Sequence, residues 1–321
     1  MKKLDGKIAL VTGASRGLGK GIAIGLGEAG ATVYITGRSF SEAKDAVGGS
    51  LQETRSEVEK AGGKCIAIAV DHGDDAQVRS LFERIEKEQQ GRLDLLVNNV
   101  FGGVRALGEL GGKPFWEGEP ELWDQVNDVG LRSHYVAGVL AARLMVKRRE
   151  GLICTIASWG GLSYIFGAAY GSGKSACDRL AADFATELKP HNIASVSVWP
   201  GIVGTEQILR VAGEMEADSP QTRFLGDRYN WETPLLTGRV IAALAADADI
   251  MKRTGRVQIV AELAKKYGLE DKDGDRPVSL RSLRFLLPMR WPQLQNYAGF
   301  IPDLNLPWGL LLLTMLRSPR I

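Results

Sequence analysis

The sequence predicts a doubly wound α/β fold, and three observations carry that expectation. Short apolar, β-rich runs recur along the 321 residues, stretches of helical period alternate with them, and the first run empties into a glycine-rich turn. The runs are "KIALVTG" (7–13), "TVYITGR" (32–38), "KCIAIAVD" (64–71), "LDLLVNNV" (93–100), "GLICTIAS" (151–158), "ASVSVWPG" (194–201) and "RVQIV" (256–260). Their unbroken apolar character suits strands covered on both faces, as parallel strands are. Between them lie "LGKGIAIGLGEAG", "DAQVRSLFERIEKEQQ" and "SACDRLAADFATELK", whose apolar residues recur at helical spacing. Strand and helix alternating at this interval build βαβ units, hence about seven parallel strands with helices on both faces. One domain over residues 1–260 accounts for the alternation, and 261–321 is left as an apolar C-terminal extension. The Gly- and Pro-rich stretch 101–120 also stands outside the pattern.

Forty basic and 38 acidic residues leave a net charge of +2, with no basic field to attract nucleic acid. Cys65, Cys154 and Cys177 are scattered and apolar in context, which fits buried thiols in a reducing compartment. His72, His134 and His191 form no metal-ligand pattern, so no metal is expected. The N-terminal apolar run reaches a glycine turn too early for a signal peptide, and a cytoplasmic protein is the expectation.

The first strand leads directly into "TGASRGLGKGIAIGLGEAG", which places Gly13, Gly17 and Gly19 at a strand-to-helix turn. Glycines there let the backbone approach a pyrophosphate, and the helix start offers free N–H groups, so a Rossmann-like dinucleotide site is expected. The second strand ends in "ITGRSF", without the acid that would bind an unphosphorylated ribose. Arg16 and Arg38 supply two guanidinium groups where a 2′-phosphate would sit, which favours NADP(H) over NAD(H).

The stretch "FGAAYGSGKSACD" (166–178) has two readings. A triphosphate-binding loop needs a glycine five residues before Gly173, where Ala168 stands, and should leave its strand directly, which this segment does not. The other reading pairs Tyr170 with Lys174 at the i,i+4 spacing that brings a phenol and an ammonium together on one helix face. One cation about 4 Å from a forming phenolate, at an effective dielectric near 20, is worth about 4 kcal/mol.

The spacing G-x-x-x-G-x-G, the tyrosine-lysine pair and Ser158 upstream of it resemble the short-chain dehydrogenase/reductase family over roughly residues 5–260. That resemblance implies a catalytic set of Ser158, Tyr170 and Lys174, with hydride transfer between nicotinamide and a carbonyl carbon while Tyr170 moves the proton and Ser158 binds the oxygen. It implies cofactor contacts by Gly13, Ser15, Arg16, Gly17, Leu18 and Gly19. Asp71 and Asn98 would contribute further contacts, as would Tyr170, Lys174 and the "PGIVGT" residues Pro200, Gly201, Val203 and Thr205.

"NNVFGG" (98–103) departs from the family's N-N-A-G at Val100 and Phe101, which makes the wall near the nicotinamide bulkier. The family's helix motif V-N-L-x-G aligns here with "VGLRS", which puts Gly130 in the place of the catalytic asparagine and Asn127 one turn earlier, about 5 Å along the axis. "VGLRS", "YITGR", "EQQGRLD", "ARLM" and the long tail resemble the family's dehydrogenase/reductase member 1 branch, which implies a carbonyl reductase for lipophilic ketones, aldehydes or steroid-like alcohols, assembled as a dimer or tetramer. The rival expectation is an NADP(H)-binding sensor or scaffold with little turnover, motivated by Gly130.

Residues 206–234 fall where the family keeps its substrate lid. In the tail, residues 276–321 hold six arginines against Asp303 alone, and the run Gly309–Leu316 is far short of the roughly 20 residues that span a bilayer. The tail is expected to cover the pocket, join subunits or lie on a membrane surface.

Overall fold

The computed structural model describes residues 2–41, 48–214 and 229–315. The lid residues Met215 and Phe224 and the tail residues Leu316, Arg317 and Arg320 lie outside them. Seven parallel strands form one sheet: β1 (Ile8–Val11), β2 (Thr32–Gly37), β3 (Lys64–Ala69), β4 (Leu95–Asn98), β5 (Gly151–Ile156), β6 (Ile193–Trp199) and an edge strand, β9 (Val257–Ile259). Their order is β3-β2-β1-β4-β5-β6-β9, so the direction of winding reverses between β1 and β4. In a doubly wound sheet that reversal opens a crevice at the carboxyl ends of the strands.

The strands inside the edge strand β9 alternate between two cores. Ala9 and Val11 of β1 enter one cluster with Val33, Ile35, Leu95 and Val97, while Ile8 and Leu10 enter the other with Tyr34, Leu96 and Ile153. The first cluster lies under α1 (Gly17–Glu28), α2 (Leu51–Lys60) and, later in the chain, α9 (Pro234–Ala245). The second lies under α3 (Asp75–Glu88) and α6 (Ser133–Arg148), with α7 (Ala168–Leu188) beside them. Residues buried on both faces explain why the strands read as unbroken apolar runs.

The stretch 101–120 is not wholly irregular, since it contains α4 (Val104–Leu110). It leads to α5 (Leu122–Asn127), and a π-helical turn, Asp128–Arg132, joins α5 to α6. After β6 come β7 (Ile202–Val203), α8 (Glu206–Glu214) and β8 (Trp231–Glu232), and the two short strands pair in parallel.

Helices α1 and α9 cross backbone to backbone. A Cβ at Gly25 would lie 2.5 Å from the carbonyl carbon of Gly238. Gly25→Val is therefore expected to force the helices apart at a cost of about 3 kcal/mol. A urea midpoint equal to wild type would refute this packing.

The extension folds back on its own chain through α10 (Val260–Tyr267), α11 (Leu283–Arg290) and α12 (Trp308–Met315). Arg281 pairs with Glu262 through Nε at 2.8 Å and Nη2 at 3.0 Å, and its guanidinium lies 4.7 Å from the Trp308 ring centre. Lys265 pairs with Asp303 at 2.8 Å, and Phe285 is buried. Tyr297, Phe300, Leu312 and Leu313 remain exposed. Among the described residues no helix is long and apolar enough to cross a membrane.

Candidate active site

The turn after β1 needs glycine where φ is positive, at Gly13 (+69°) and Gly17 (+55°). Thr12 anchors the turn to β4: its Oγ1 accepts from the N–H groups of Asn99 (3.0 Å) and Val100 (3.1 Å). Asn99 Nδ2 in turn donates to the carbonyls of Thr12 (2.8 Å) and Gly13 (2.9 Å). Sequence reasoning missed both residues and chose Asn98. The structure places Asn98 fully buried, with Nδ2 donating to the His134 carbonyl at 3.1 Å, which ties β4 to α6, while its Oδ1 has no hydrogen-bond partner among the described residues.

Helix α1 starts without a side-chain cap and without an acid in its first turn. Its Gly17 N–H instead donates to the Glu206 carboxylate of α8 at 3.0 Å. The Glu206 carboxylate thus satisfies one of the N–H groups that a helix start leaves unpaired, and its negative charge suits the positive end of the helix dipole. Ser15 packs against Gly37, the residue before Arg38, so the loops bearing Arg16 and Arg38 adjoin. Leu18 points into the core under α1. Asp71, just past β3, accepts from the Gly73 N–H at 3.0 Å. Beyond β6, Pro200 is buried, Val203 lies in β7, and the Thr205 methyl group approaches Gly17. The Thr205 hydroxyl caps α8 by accepting from Ile208 N–H at 3.3 Å.

Ser158 and Tyr170 meet at Gly160. A Cβ there would be 2.7 Å from Tyr170 Cε1 and 3.5 Å from Ser158 Oγ, and that oxygen accepts from the Gly160 N–H at 3.1 Å. One turn along α7, Lys174 is buried, with Nζ donating to the Ile156 carbonyl at 3.1 Å and lying 5.8 Å from the Tyr170 ring centre. Two phenylalanines stand edge-on to Tyr170: Phe101 at 5.9 Å and Phe166 at 5.4 Å. The Phe101 ring also faces the Lys174 ammonium at 5.1 Å.

The expected register of the asparagine motif needs correction. Gly130 does not face Lys174. It faces Phe101, whose Cδ2 would be 2.7 Å from a Cβ at 130, and its carbonyl accepts from Cys177 Sγ at 3.5 Å. Asn127 is buried against α7, where its Oδ1 takes the space a side chain at Gly173 would need and its Nδ2 donates to the Ala169 carbonyl at 3.3 Å. The residues Val126, Asn127 and Gly130 fit V-N-x-x-G as they stand, with Asn127 beside the residue that precedes Lys174.

Burial dominates the electrostatics behind the site. It pushes the His134 imidazole down to about 3, with the nearby Lys174 charge adding to the effect, and raises the Cys177 thiol. It lifts the Asp178 carboxyl to about 6 even though Ser197 and Trp199 donate hydrogen bonds to it. Trp199 stands edge-on to Trp159, which follows Ser158, and to Trp308 of the extension, each at 5.9 Å.

A family model for short chain dehydrogenases matches residues 7–214. The chain is 45% identical over 277 residues to dehydrogenase/reductase SDR family member 1 of Mus musculus, covering 86% of each. A short-chain type dehydrogenase/reductase from Mycobacterium marinum superposes with a TM-score of 0.64 at 26% identity, over 80% of this chain and 94% of the other. A metagenomic short-chain oxidoreductase in complex with NADP gives 0.60 at 26% identity, over 80% and 97%. With its seven-stranded parallel sheet, its glycine turn and these matches, the chain belongs to the short-chain dehydrogenase/reductase family of oxidoreductases.

Proposed function

We propose that the protein is an NADP(H)-dependent oxidoreductase that interconverts a carbonyl and an alcohol on an apolar small molecule. The observation that carries the reading is the meeting of Ser158, Tyr170 and Lys174 where β5 and α7 adjoin. When bound, the cofactor supplies or accepts the hydride. The turn from Gly13 to Gly19 and the start of α1 would hold its pyrophosphate, Arg16 and Arg38 its 2′-phosphate, Asp71 its adenine, and Lys174 its nicotinamide ribose. Pro200, Gly201, Val203 and Thr205 would hold its carboxamide.

Tyr170 delivers or removes the proton at the substrate oxygen, and Ser158 donates a hydrogen bond to that oxygen. Lys174 places positive charge where negative charge develops on the phenol oxygen. The edges of Phe101 and Phe166 around Tyr170 exclude water and favour an apolar substrate. The alternative, a binding protein with little turnover, loses its motive with Asn127 seated against Gly173. We keep a dimer or tetramer as the assembly, to be read by sedimentation.

The test is consumption of NADPH and NADH over a panel of apolar ketones, aldehydes and quinones. Arg38→Ala is expected to raise the KM for NADPH about 10- to 100-fold, the worth of a charged hydrogen bond, and to leave that for NADH unchanged. Equal use of both cofactors by wild type would sink the arginine argument.

A further inference from the structure

The loop Gly201–Thr205, to which the proposed function assigns the nicotinamide end, has glycines at 201 and 204 and only two residues of strand between them. Glu232 holds both ends of that strand. Its Oε2 accepts from the Gly201 N–H at 2.9 Å, its main-chain carbonyl accepts from the Gly204 N–H at 3.0 Å, and it pairs with Val203 in register. The fit is close, since a Cβ at Gly201 would lie 2.6 Å from Glu232 Oε1.

The side chain is 2% exposed, and Oε1 has no hydrogen-bond partner among the described residues. Burial pushes this carboxyl up to about 7 against the pull of the Gly201 N–H, and the Asp271 charge adds to the rise. A half-satisfied buried carboxyl group is costly to the fold, so stability does not explain its presence.

The segment around Glu232 is in turn sewn to the extension. Tyr229 OH donates to the Arg284 carbonyl at 2.5 Å, and Asn230 exchanges two hydrogen bonds with Val278, at 2.9 and 2.7 Å. The Thr233 N–H donates to Asp271 at 2.6 Å, and the Thr233 hydroxyl donates to the same carboxylate. Within the extension, Arg281 pairs with Glu262 of α10.

We propose that Glu232 is a positioning residue for the 201–205 loop and that the C-terminal extension acts through it to set affinity for the nicotinamide half of the cofactor. The inference rests on the cofactor reading above. It is tested in the full chain by titrating NADP+ and 2′,5′-ADP, which share the phosphorylated adenosine half. Glu232→Ala is expected to weaken NADP+ about 10-fold, the worth of one hydrogen bond, and to leave 2′,5′-ADP within about twofold.

Glu232→Gln keeps an oxygen for Gly201 and is expected to restore NADP+ binding to within about threefold of wild type. Asn230→Ala, which cuts the seam from the other side, is expected to weaken NADP+ alone by about threefold. Equal losses for both ligands in Glu232→Ala, no loss in either, or no restoration by Gln would overturn the positioning role. An unchanged Asn230→Ala would remove the extension from the chain of contacts. A wild type that binds neither NADP+ nor NAD+ would instead bring down the cofactor reading itself.

Discussion

Tyr170→Phe is expected to lower kcat by about 10²- to 10⁴-fold, the usual worth of a positioned acid-base group, while NADPH binding stays within about twofold. The substitution deletes one oxygen and no packing. The ring still lies over Gly160 and still meets the edges of Phe101 and Phe166. Lys174 keeps its bond to the Ile156 carbonyl, so the cation stays in place with nothing to act upon. Equal loss of kcat and kcat/KM, with an unchanged thermal midpoint, would mark an interaction made in the transition state. A kcat within about threefold of wild type, on a substrate that wild type turns over, would remove Tyr170 from the mechanism.

Gly130→Asn should do harm, although a plain motif alignment makes it look like a repair. Any Cβ at 130 meets Phe101 at 2.7 Å, and that ring is held between Lys174 and the Tyr170 ring. Overpacking of this kind costs about 1–3 kcal/mol. The ring can leave only by abandoning its contacts with both residues of the pair, so turnover should fall about 10-fold or more. Phe101→Gly added to Gly130→Asn should return most of the lost stability, a coupling that a double-mutant cycle in urea would measure. A stable single variant with undiminished turnover would show that Phe101 is not wedged there.

How much of this was legible in the sequence follows from the range of each interaction. The strands were readable because residues such as Ile8 and Ala9 are buried on opposite faces of a covered sheet. Ser158, Tyr170 and Lys174, which the fold brings together, could be singled out as candidates because strand end and helical spacing are local properties. The register around Asn127 was legible in the V-N-x-x-G spacing of Val126, Asn127 and Gly130, but the contact that singles Asn127 out, with Gly173, is made between distant parts of the chain and shows only in the fold. Asn98 and Asn99 are neighbours whose side chains point opposite ways, one to His134 and one to the glycine turn. Which of the two faces the ligand site depends on where β4 ends, the least readable feature of a strand. Two-residue strands such as β7 and β8 carry no pattern at all, so Glu232 was invisible until the chain was folded.

The seam between residues 229–233 and 271–284 also bears on how the molecule is made. Synthesis runs from the amino end, and every strand of the main sheet ends by Ile259. A nascent chain therefore holds the material of the sheet and of the glycine turn before Asp271, Val278 and Arg284 have been added. Until then the partners that hold residues 229–233, the Asp271 carboxylate and the carbonyls of Val278 and Arg284, do not exist. Completion of the loop contacts is tied to completion of the polypeptide, and so is completion of the core, because Val260, Leu263 and Ala264 of α10 are buried in the first cluster.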